Sequence, residues 1–160
     1  MKLGMAIEEL HRSENELHSA LLGMSDRHKA DHEVFHVTRN MARWSEKHVA
    51  ELAEVGRGFG LDLDPAAKGP SSVVEALQQK ASELTGRQSA PGLLLLADLR
   101  HLYREAGCTA LDWELLAQGA QGARNKELLD FAERCHSQTL RVSKWAEAKL
   151  KESSPQVLAS

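Results

Sequence analysis

The sequence predicts an all-α four-helix bundle, and three observations carry that expectation. Apolar residues recur at gaps of three, four and seven along four long segments. Alternating β-type patterns are absent. Ala, Leu, Glu, Lys, Gln and Arg, the stronger helix formers, dominate throughout. The chain's 160 residues make one domain, large enough to bury a single core.

The first helix is expected over about 3–25, with Leu3, Ile7, Leu10, Leu17, Leu21 and Met24 on one stripe and Glu14 in the remaining stripe position. The polar run Ser25–Asp31 holds several possible N-caps. The second helix, about 31–56, carries Val34, Val37, Met41, Trp44, His48, Leu52 and Val55, and Gly56-Arg57-Gly58-Phe59-Gly60 stops it. Residues 57–92 hold the breakers Asp64-Pro65, Gly69-Pro70 and Pro91-Gly92, with a cap at Ser71-Ser72 and a short helix to about Leu84 between them. This stretch reads as a crossover, because neither flanking half has enough core to stand alone. The third helix is expected over about 93–120 and the fourth over about 125–152, closed by Ser153-Ser154-Pro155. Two hairpins joined by a long connection place the third helix parallel to the second.

Composition narrows the function. A net charge of −3 and a pI near 6.2 argue against a nucleic-acid binder. No run approaches 18 apolar residues, so no membrane span is expected. Met1–Glu9 reaches acid too early for a signal-peptide apolar region. Two cysteines make no disulfide framework, and a cytoplasmic location is expected. Phosphate-loop, Cys-x-x-Cys, Gly-x-Ser-x-Gly and His-Glu-x-x-His motifs are lacking. Trp44, Trp113 and Trp145 sit at stripe positions, as core or interface anchors.

Eight histidines stand out. Glu33-Val34-Phe35-His36 in the second helix and Glu133-Arg134-Cys135-His136 in the fourth are both Glu-x-x-His, 100 residues apart, each followed by a tryptophan. With two hairpins and a long connection, the chain resembles the ferritin-like superfamily over about residues 5–152, in size and layout the small bacterial stress-type members. The stretch Asp98–Ala106 strengthens the likeness. The resemblance implies a site for two irons, with a Glu from the first and third helices and a Glu-x-x-His from the second and fourth. The candidates are Glu14, Glu33 with His36, Glu105, and Glu133 with His136.

Helix angle and depth test that implication. At about 100° per residue, Glu33 lies roughly 60° and His36 roughly 120° from the centre of their core stripe. His28, His32 and His36 fall with Arg39, Arg43 and Lys47 on a solvated face, where i, i+4 histidines leave a surface metal or pH-sensitive patch as the competing reading. A first turn near 27–28 puts Glu14 level with Met41, and a second near 121–122 puts Glu105 level with Gln138. Glu14 and Glu105 are then expected to share a layer without a Glu-x-x-His. Glu33 is eight residues from Met41, roughly 12 Å along the axis. Glu133 and His136 stay within reach if the turns shift.

Glu14 is the most unusual residue of its stripe. A buried carboxylate needs a partner, which His18 or a residue of a facing helix could supply; the alternatives are that Glu14 sits at an open bundle end or pairs with an Arg. His48, on a core seam, is expected to be hydrogen-bonded rather than a ligand. His11, Glu14 and His18 form one polar edge; His101, Glu105, Cys108 and Asp112 form another. Were they to face each other, the interior lane would take a nonstandard metal or small molecule. Cys108 and Cys135 are equidistant from the second turn, so they are expected to lie level.

The functional expectation is a ferritin-like bundle without an intact standard di-iron site, acting through protein contacts as a homodimer or accessory subunit, or in stress response. The alternative is an iron or other transition-metal oxidase or iron-handling protein using Glu14, His18, Glu105, Glu133 and His136. A third is a thiol-based redox stress protein using Cys108 and Cys135.

Overall fold

The computed structural model describes residues 2–70 and 90–160. Four helices account for most of them: α1 (Lys2–Arg27), α2 (His32–Arg57), α3 (Pro91–Gly122) and α4 (Lys126–Leu158). No strand occurs among the described residues. The short helix expected between Ser71 and Leu84 lies outside them.

Local chemistry sets the boundaries. Asp31 caps α2 by accepting from the Val34 amide at 3.1 Å, and Asn125 caps α4 by accepting from the Leu128 amide at 3.1 Å. Pro91 opens α3, where its missing N–H is no loss. Past α2, the Leu61 amide bonds the Gly56 carbonyl and the Gly60 amide bonds that of Arg57, with Gly60 at φ 76°. This is a Schellman turn with glycine in the left-handed position. The same pattern ends α3, but Arg124 holds the left-handed position at φ 56°. Pro155 does not end α4. It removes one N–H donor near the end, and the helix runs on to Leu158.

Cross-helix bonds give the topology. Ser13 meets Asp112 and Arg27 meets Asp98, so α1 and α3 are antiparallel. His48 meets Gln138 and Glu33 meets Lys149, so α2 and α4 are also antiparallel. With α1–α2 and α3–α4 as hairpins, α2 therefore runs parallel to α3, and the connection between them must travel the length of the bundle. Its first part does so along α1. Asp64 lies against His11, and Lys68 against Asn15, His18 and Ser19.

The apolar core falls into two clusters. One holds Leu17, Leu21, Met24, Met41, Leu102 and Val142. The other holds Ile7, Leu10, Leu52, Trp113, Leu116 and Cys135. On every helix a buried polar residue lies between them: Glu14 on α1, Ser45 and His48 on α2, Thr109 on α3, and Thr139 on α4.

Candidate functional site in the central polar layer

Each of these polar residues sits in a core stripe, because the apolar repeat of its helix is interrupted at mid-length. Glu14 is fully buried. Its Oε1 accepts from the Trp113 indole at 2.6 Å, from His48 Nδ1 at 2.9 Å and from the Thr139 hydroxyl at 3.3 Å. The Thr139 proton is shared with the Cys135 carbonyl, 3.0 Å away. His48, 1% exposed, places its other ring nitrogen 2.7 Å from Gln138 Oε1. Both imidazole nitrogens thus face oxygen acceptors, the arrangement a doubly protonated ring requires.

Burial alone would push the His48 pKa down. Contacts with Cys135 and Glu14 outweigh it and raise His48 from its ordinary 6.5 to about 10. His48 and Glu14 therefore form a buried ion pair at neutral pH. The Trp113 ring stands edge-on to His48 at 5.4 Å and to Phe131 at 5.3 Å, walling the pair off. Glu14 Oε2 is buried with no hydrogen-bond partner among the described residues. The layer can hold charge in a dry interior. Its nearest chemistry is proton binding.

The residues expected to hold metal are dispersed. His18 bonds the Lys68 carbonyl at 2.7 Å through Nδ1 and so fastens the crossover. Glu105 is half-buried beside His101, at 3.9 Å, on the groove between α1 and α3. Glu133 is exposed and His136 half-buried. Glu33 reaches Lys149 at 2.7 Å, and His36 is exposed. Among the described residues, no three His, Cys, Asp or Glu side chains converge to hold a metal ion.

Glu14 and Glu105 do not share a layer. The Ser13–Asp112 bond sets Glu14 against Asp112–Trp113, which leaves Glu105 about 10–12 Å along the axis. Within the α1–α2 hairpin, Glu14 meets His48 rather than Met41, because the turn centres nearer residue 31 than 27–28. His28 does not join the solvated face of His32 and His36. It lies in the turn before α2 begins, where helical angles do not apply, and bonds Asp98 at 2.7 Å. Burial alone would raise the Asp98 carboxyl; its bonds from His28 and Arg27 prevail and hold it below the usual range. Cys108 is exposed and Cys135 buried, so level placement does not bring the thiols together.

The two polar edges do not close an interior lane. His11 donates from Nε2 to the Asp64 carbonyl of the crossover at 2.8 Å, and Asp112 accepts from Ser13 at 2.7 Å. The sequence reading placed Gln138 level with Glu14 but missed Ser45 and Thr109 as members of the layer. A polar residue inside each apolar stripe at mid-helix was the available signal. In comparisons with family models, curated proteins and solved structures, none matches this chain.

Proposed function

We propose that this chain is a ferritin-like bundle in which a buried ion pair occupies the layer that carries two irons in metal-binding members, and that it acts through its helix faces in protein–protein contacts. The observation that carries the reading is the Glu14–His48 pair, capped by Trp113 at the mid-depth of all four helices. At that level α1 offers Glu14, α2 offers Ser45-x-x-His48, α3 offers Thr109 and Trp113, and α4 offers Thr139-x-x-Val142. Of the six side chains implied by the resemblance only Glu14 lies in this layer, and it bonds His48, which is not one of the six. A homodimer or accessory subunit in the cytoplasm, in a stress-response setting, is the accompanying proposal.

Protein purified from iron-supplemented cells tests this. Far less than one iron per chain, and no oxygen consumption on adding Fe²⁺, is the expected result. Stoichiometric iron that disappears in Glu14→Ala would overturn it in favour of an iron-handling protein.

A further inference from the structure

We propose that the outer stripe of α3 is a self-complementary surface on which a second copy of this chain docks, α3 against α3, antiparallel about a two-fold axis at Gly107. The proposal deepens the protein-contact reading above and rests on it.

The stripe faces away from the rest of the bundle. Leu99, Leu102, Ala106 and Trp113 fill the core on one side of α3, while Asp98 and Asp112 bond α1. On the remaining arc, Leu93, Arg100, Arg104, Gly107, Leu111 and Gln118 recur at gaps of three, four and seven and are all exposed. This is the spacing of a helix–helix seam, with no helix of the described residues upon it. Leu111 and Leu115, one turn apart, are each 61% exposed, and Tyr103, about two turns before Leu111, is 46% exposed, unusual for large side chains on one helix.

The occupant follows from the order of residues along the stripe. A two-fold contact must match a surface to itself. Antiparallel pairing about Gly107 sets each residue against the one equally far on the other side. Tyr103, exposed on the same arc, then meets Leu111 of the second copy, and Arg100 meets the half-buried Glu114 of the second copy, seven residues past Gly107. Apolar faces apolar and cation faces anion, twice each by symmetry. Neither Arg100 nor Glu114 forms an ion pair within the chain among the described residues. Among the described residues, Glu114 accepts only from its helix neighbour Gln118, at 2.9 Å. At the axis itself stands a glycine, and a side chain at Gly107 would meet nothing of the described residues within 4 Å. Two helices can approach most closely where the crossing residue has no side chain.

The test is the mass of the full chain in solution, by light scattering over a concentration series to about 100 µM, with a charge swap across the axis. Wild type is expected to dimerise. Arg100→Glu and Glu114→Arg alone should each weaken the dimer about tenfold or more, and the double variant should restore it. Leu111→Asp, at an exposed position, should give folded monomer by circular dichroism. Cys108, beside the axis, should link two chains through a short bismaleimide in wild type and not in Leu111→Asp. Monomeric wild type across the series overturns the proposal, as does a dimer indifferent to these changes or one whose Cys108 residues do not link. The iron measurement is independent of all these outcomes, so the central-layer reading stands or falls separately.

Discussion

At the residue scale, the Glu14–His48 pair decides how this core responds to mutation and to pH. Removing one member of a buried ion pair leaves the other charge uncompensated, a loss of about 3–5 kcal/mol. His48→Leu is expected to destabilise by that order in urea unfolding. Adding Glu14→Leu should recover part of the loss, because two apolar side chains carry no stranded charge. The pH dependence has a definite sign. The folded-state pKa of His48, about 10, lies above the unfolded value of about 6.5, so the folded chain holds this proton more tightly. The pair's contribution is full below about pH 6.5 and is lost as pH rises through about 10. Unfolding midpoints of wild type should fall across that window relative to His48→Leu. Parallel curves would show that His48 is neutral in the fold. His48 on a seam was legible in the sequence; its carboxylate partner was not. A hairpin partner moves two positions for each residue by which the turn is misplaced. An error of about three residues at the first turn therefore exchanges His48 for Met41, seven positions and about 10 Å away.

At the scale of elements, the ends of the helices follow short-range rules and were largely readable. Glycines mark the end of α2, and Gly60 takes the left-handed backbone that a Schellman turn needs. The end of α3 uses the same turn with Arg124, whose Cβ makes that conformation costly by about 1–2 kcal/mol. Arg124 is exposed, so little else is lost on replacing it. Arg124→Gly is expected to stabilise the protein by about 0.5–1 kcal/mol, seen as a higher Tm; an unchanged or lower Tm would count against the strain. Pro155 misled the reading of α4 because a proline near a helix end removes a single donor, which the final turn tolerates.

At the scale of the whole molecule, the crossover is fastened to α1 by polar groups rather than by a core of its own. The Lys68 amide donates to Asn15 Oδ1 at 2.8 Å, and His11 and His18 bond the Asp64 and Lys68 carbonyls. Such a strap opens below the free energy of global unfolding. In Asn15→Ala, the Lys68 amide should exchange with solvent at least about tenfold faster, while core amides of α1 and α3 accelerate by little if at all. Equal acceleration everywhere would mean that the strap and the bundle unfold together. His11 and His18, weighed as an interior lane, thus serve the outside of α1.

The sequence by itself determined what depends on neighbours a turn or two apart: four amphipathic helices, their caps, the long connection, and a carboxylate and an imidazole in core stripes. The parallel α2 and α3 followed from that connection's length. Only the tertiary structure decided which polar residues meet. The Glu-x-x-His pairs at 33–36 and 133–136 match a pattern in the chain, yet their helices turn most of them outward. The layer at mid-depth was assembled instead from Glu14, Ser45, His48, Thr109 and Thr139, single residues far apart in sequence. Relative rotation and axial register of helices are set by packing over the whole interface. No local pattern encodes them, and a few residues of slip change every partner in a layer.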